Sequence, residues 1–254
     1  MNSILTIASS EFQRLFRSPL AWSLLATVQF ILAWLFLNNV EEYLLYIQPK
    51  LVGVDHAPGV TEIVVSSLYT SIGIIMLAIM PILSMRAFAE ERMNGTLTLL
   101  LSAPISVSQI VLGKYCGLMA FIFLMIAMLS LMPFSLLLST QLDIGMMLSS
   151  ILGLSLLLAS FAAAGLFLSS LTKQPIIAAM SSFGLLLFLV ILYLSGSSQS
   201  GNSSLFIYLS HFSHFLSFLQ GTFDSSDFIY YLLFSAGFLI LTIRKLDNDR
   251  LYGG

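Results

Sequence analysis

Long apolar runs without charge constrain this chain most: residues 63–85 and 144–171 contain no Asp, Glu, Lys or Arg. A water-soluble domain carries roughly 25% charged residues and needs polar side chains to cover its surface. Here 9% of the 254 residues are charged and 58% are hydrophobic, with a mean hydropathy of +0.97. The solvent for such a chain is lipid. A segment crossing lipid must satisfy its own backbone hydrogen bonds, which leaves helices or a closed barrel. A barrel would alternate apolar and polar residues over segments of about ten, whereas these runs are continuous. The expected fold is an all-α membrane protein, with one membrane domain accounting for the whole chain.

Crossing the hydrocarbon core takes about 20 apolar residues. Six segments meet or approach that length, at about 19–37, 63–85, 111–138, 144–171, 175–194 and 228–243. An even number of spans puts both termini on one side. That side holds Arg14, Arg17, Arg86, Arg92, Lys114, Lys173, Arg244, Lys245 and Arg250, and the other holds Lys50. Nine cations against one is a strong positive-inside bias, so the expected location is the bacterial cytoplasmic (inner) membrane with cytoplasmic termini. The outer side carries acids instead: Glu41, Glu42, Asp55, Glu62, Asp143, Asp224 and Asp227.

Outside the spans, Ile4, Ala8, Phe12 and Leu15 recur at helical spacing, with Glu11 and Arg14 elsewhere around the helix. That pattern predicts an N-terminal amphipathic helix at the inner interface. Residues 1–18 do not read as a cleavable signal, since no short apolar core follows a basic stub. Pro49, Gly53, Pro58 and Gly59 predict an irregular middle for the outer loop 38–62. Further on, the flexible tract SGSSQSGNSS from Ser195 precedes LFIYLSHFSHFLSFLQG, which predicts an interfacial or re-entrant helix on the outer side. Cys116, the single cysteine, lies in an apolar run and reads as a small buried apolar residue.

The most informative polar segment runs from Arg86 to Ser106. Arg86, Glu90, Glu91 and Arg92 follow directly on a span, Asn94-Gly95 turns the chain, and Thr96 to Leu101 forms a short apolar helix. Ala103-Pro104 ends that helix, and Ser106 caps the next. The plain reading is a solvated loop at headgroup level. The sharper one is a docking element, because a short helix with Leu97, Leu99, Leu100 and Leu101 beside a charged end can fill a partner's groove.

The stretch SMRAFAEERMNGTLTLLLSAPIS resembles the loop after the second span in ABC-2 type permeases, in particular the gliding-motility and NosY-like branch. SHFSHFLSFLQGTFDSSDFIYYLLFSAGFLILTIRKLDNDR is similar to the C-terminal part of that branch. The resemblance implies that 86–106 is a coupling helix seated in a separate cytoplasmic ATPase, with Arg86, Glu90, Glu91, Arg92, Gly95 and Thr96 as the coupling segment. Ion pairing would be the task of the charged four, and a tight turn that of Gly95. It also implies a second permease subunit, a homodimer or a similar paralogue, and a lipid environment without nucleic acid. ATP and Mg would belong to the ATPase, since no G-x-x-x-x-G-K-[S/T] occurs here. The chain itself would be no enzyme.

Other chemistries find less support. Glu90-Glu91 lacks the arginine four residues on that a paired-glutamate intramembrane protease would show, because Gly95 stands there. His211 and His214, at i and i+3, could share a metal, but no carboxylate lies at ligand spacing beside them. Asp224 and Asp227 lie beyond the Gly221 turn, so the histidines read as interfacial anchors among phenylalanines. Spans essentially without charge, with Lys114 only at the edge of the third, argue against ion-coupled transport, which keeps ionisable groups at membrane depth. In the fourth span, Ser160 with Ala164 and Gly165 with Ser169 predict close helix packing. The expected function is the permease subunit of an ATP-binding-cassette exporter. A mechanotransmitting subunit acting on an outer-side partner, or an ATPase-independent channel or scaffold, are the alternatives.

Overall fold

A computed structural model describes residues 3–51, 59–138, 140, 142–197 and 208–252. Among these residues all regular structure is helical. Helix α1 is Ser3–Arg17, and α2, Pro19–Glu42, opens with Pro19 in its first turn, where a missing N–H costs nothing. A π-helical turn at Tyr43–Ile47 and one more turn at Gln48–Leu51 extend it. Pro49 therefore lies in a helical turn, not in an irregular loop. Residues 52–58 of that loop, with Gly53, Asp55, His56 and Pro58, lie outside the described residues.

The second span begins with a π-helical turn, Thr61–Val65, and continues as α3, Ser66–Ser84. Two short helices follow, α4 at Ala89–Met93 and α5 at Thr96–Ser102. Then come α6 at Val107–Ser135, α7 at Ile144–Leu171, α8 at Pro175–Ser197, α9 at His211–Leu219 and α10 at Ser225–Tyr252. Six of these helical stretches are long and apolar enough to cross a membrane. The last is far longer than the predicted 228–243, because its polar final turns continue the helix beyond the apolar stretch. Helix α8 runs through Ser197 into the predicted Ser/Gly tract, and residues 198–207 of that tract are outside the described set.

Helix α7 is the hub. In its apolar stretch 61% of residues are buried, against 22% in α8. Ser160, Ala164, Gly165 and Ser169 are all buried. A Cβ on Gly165 would stand 2.1 Å from the Ser84 hydroxyl, so only glycine lets α3 and α7 approach this closely. The main core joins α2, α3, α6, α7 and α9 through residues such as Leu32, Tyr69, Ile122, Phe161 and Phe215.

Helix α1 packs along α6. Gly113 meets Ile7, and a Cβ on Gly117 would come within 2.7 Å of both the Ala8 carbonyl and Glu11. Glu11 is thus on the packed face and 7% exposed, not elsewhere around the helix. Cys116 of α6 is exposed, not buried as its apolar surroundings in sequence predict. An all-round apolar span carries no moment from which its inward face could be read.

Candidate functional site

Contacts between helix ends divide the protein into two poles. At the basic pole, α1, α4, α5, the start of α6 and the end of α10 come together. At the opposite pole, the backbone N–H of Asp143 donates to the Thr61 hydroxyl, and Ser149 donates to the Phe218 carbonyl.

The basic pole contains the 86–106 segment. Helix α3 ends at Ser84, and α4 begins five residues later, so the backbone between them loses its helical partners. Ser169 of α7 supplies them. Its hydroxyl accepts from Phe88 N at 3.1 Å and Ala89 N at 3.0 Å, and donates to the Met85 carbonyl at 2.8 Å. Sequence reading identified Ser169 as a small packing residue and missed this role. Gly95 has φ +72, the left-handed conformation that the Asn94-Gly95 turn predicts. Ser106 and Gln109 form a reciprocal capping box at the start of α6.

Within the segment one face is fixed and one is free. Leu97 and Leu101 are buried against a small core of Phe88, Ile110, Leu166 and Leu246. Leu99 is 74% exposed and Met93 57%, and Asn94, Gly95, Thr96 and Thr98 are also exposed. The Thr96 hydroxyl donates to the Glu91 carbonyl at 3.3 Å, closing the turn around Gly95.

The charged residues behind this tip pair within the chain. Lys114, 2% exposed, places Nζ 2.5 Å from Glu91 Oε1 and 3.5 Å from Glu11 Oε2, and 5.2 Å from the centre of the Phe88 ring. Arg14 bonds Glu11 at 2.6 Å and lies 3.8 Å from Glu91. Two cations and two carboxylates from α1, α4 and α6 thus form one cluster. Beside it, Arg92 pairs with Asp249 of α10, which Lys245 also holds at 2.7 Å. Arg250 donates to the carbonyls of Ile105 at 3.1 Å and Ala103 at 3.4 Å. Glu91 and Arg92 are therefore committed to internal partners. Arg86 and Glu90, both half-buried, line a small cleft with Arg14 and Ser18.

The opposite pole corrects the reading of the histidines as interfacial anchors. His211 and His214 share a face of α9, as their spacing requires, but both are buried. His214 Nδ1 is 2.6 Å from Asp227 Oδ1, and its Nε2 is 2.8 Å from the Tyr208 carbonyl. The Asp227 carboxylate and the Tyr208 carbonyl thus hold the ring from both of its nitrogens. The Gly221 turn, with φ +76, folds α10 back along α9 and brings Asp227 to the histidine from which it seemed separated. His211 Nδ1 is 2.8 Å from the Tyr230 hydroxyl, which donates to the Leu209 carbonyl. Burial first, and His214 second, lower its pKa to about 3, so it is neutral. Among the described residues no three metal-ligating side chains gather here or elsewhere.

Comparison with curated proteins gave no match. The model of the family described as ABC-2 family transporter protein matches residues 5–242, nearly the whole chain, without distinguishing a branch within the family. Six candidate membrane-spanning helices, a turned pair of short helices after the second, and this end-to-end match agree, and the chain belongs to the ABC-2 family of transporter proteins.

Proposed function

We propose that this chain is the permease subunit of an ATP-binding-cassette exporter, coupled through residues 86–106 to a separate cytoplasmic ATPase that binds ATP and Mg. The carrying observation is the division of labour in that segment. An exposed tip, Met93 to Thr96 with Leu99, is mounted on charged residues that reach α1, α6 and α10. Apolar side chains projecting from a short, braced helix suit insertion into a groove. The basic pole is then cytoplasmic, in keeping with its share of Lys and Arg. A push on the tip would pass through Glu91 and Arg92 to three helices at once. On this reading Glu91 and Arg92 transmit, Arg86 and Glu90 flank the tip, Gly95 and Thr96 shape it, and Leu99 makes the contact. A second permease subunit completes the pathway.

The test is a mild-detergent pull-down of tagged protein, with ATP hydrolysis assayed in the eluate. Wild type should retain an ATPase, whereas Leu99→Glu and Gly95→Pro should release it, the latter because proline cannot adopt φ +72. A wild type that captures no ATPase, even after crosslinking, would overturn the proposal.

A further inference from the structure

Beneath α5, on the side facing α10, lies a cavity of about 430 Å³, within the range of small-ligand sites. Its polar lining comes from four elements: Thr98 and Ser102 of α5, Arg92 of α4, Lys173 between α7 and α8, and Asp249 and Arg250 of α10. Three cations face one carboxylate. That carboxylate is already held by Arg92 and by Lys245, so the excess charge of the cavity is positive.

The cations also have capacity to spare. Lys173 is exposed and makes no ion pair or hydrogen bond among the described residues. The Nε of Arg92 is buried and has no acceptor there. Arg250 uses two N–H groups on carbonyls, and a guanidinium has five. Guanidinium forks and an ammonium, with hydroxyls between them, suit a tetrahedral oxyanion with several acceptor oxygens. Leu97 and Leu101 add an apolar wall, which a bare ion would not need and a glycerol backbone would.

We propose that this cavity binds a phosphate-bearing anion, bridging α5 to Lys173 and the end of α10. A phospholipid headgroup or a small soluble phosphate could supply the same chemistry. Basic pockets between helices at a membrane surface take headgroups in this way. The inference needs no ATPase partner, so it stands or falls separately from the proposed coupling.

The experiment uses the full chain in neutral detergent. Native mass spectrometry compares retention of phosphatidylglycerol and phosphatidylcholine with identical acyl chains, and titration with inorganic phosphate follows in parallel. Lys173→Gln is the main variant, because Lys173 holds no other group in place. Arg250→Gln is the second, and Lys50→Gln, at the opposite pole, is the control. Phosphatidylglycerol should be retained preferentially, with Lys173→Gln weakening it about fivefold and Lys50→Gln leaving it unchanged. Inorganic phosphate binding that depends on Lys173, without a lipid preference, would identify the soluble source and equally support the site. If neither probe responds to Lys173→Gln or Arg250→Gln, the proposal is overturned.

Discussion

The two poles both bury charge, but they do so differently. At the basic pole, Glu11, Arg14, Glu91 and Lys114 come from helices α1, α4 and α6, with up to 103 residues between partners. At the opposite pole, His214 and Asp227 are 13 residues apart and enclosed by Tyr208, Tyr230 and Tyr231. The first arrangement links distant elements around an exposed tip, so displacing the tip must disturb several helices. The second is a local clamp that fixes α9 to the start of the last span. Charge placed across elements can carry a movement, whereas charge placed within one hairpin resists it.

Removing a single cation should show how much the basic pole depends on its network. Lys114→Met leaves Glu11 and Glu91 facing each other without their buried partner, and should cost about 3 kcal/mol. Chemical denaturation in detergent measures it, and adding Glu91→Gln should recover part of the loss.

At the opposite pole, acid should be the sharper probe. His211 is neutral when folded, with its pKa lowered to about 3, and has an ordinary value near 6.5 when unfolded. Between these values the unfolded chain binds the extra proton, so stability falls as pH drops from about 6.5 towards 3. At pH 5 the loss should reach about 2 kcal/mol. The histidine faces Tyr230, Tyr231 and His214, with Asp227 behind them. Replacing it in His211→Gln should flatten that decline, as thermal midpoints across pH would show, and an unchanged slope would refute the assignment.

Asp227→Asn weakens the clamp without emptying it, and should cost about 2 kcal/mol for the lost charged hydrogen bond. Amide exchange should rise in 211–219 and stay constant in 89–102. Exchange rising at both poles would break the distinction between clamp and network. The smallest stability change belongs to Leu99→Glu, within about 0.5 kcal/mol for so exposed a side chain. Its effect should appear in the pull-down alone, separating docking from folding.

The features legible in the sequence are those encoded locally. Gaps between charges mark the spans, Asn94-Gly95 marks the turn, and Ser106 marks the start of α6. The family pattern likewise lies in a short contiguous stretch around Arg86 to Ser106. What stayed hidden depends on distant partners. Glu11 looks like an interfacial charge until α6 brings Lys114 to it. Ser169 looks like a small residue for packing until a break in another helix offers two unpaired N–H groups. His214 and Asp227 seem divided by Gly221, although a left-handed turn is what reverses the chain and joins them. Cys116 was misplaced for another reason: in a span apolar on all sides, lipid-facing and protein-facing residues look alike.

The pairing of Lys114 also bears on how the protein is made. An ammonium in a helix entering the bilayer is costly unless it meets a counter-charge. Both of its carboxylates, Glu11 and Glu91, precede it in the chain. Synthesis runs from the N-terminus, and early segments fold first, so α1 and α4 have already left the ribosome when the lysine of the third span emerges. The order of residues along the polypeptide thus supplies each negative partner before the positive charge that needs it, and insertion need never strand that lysine alone.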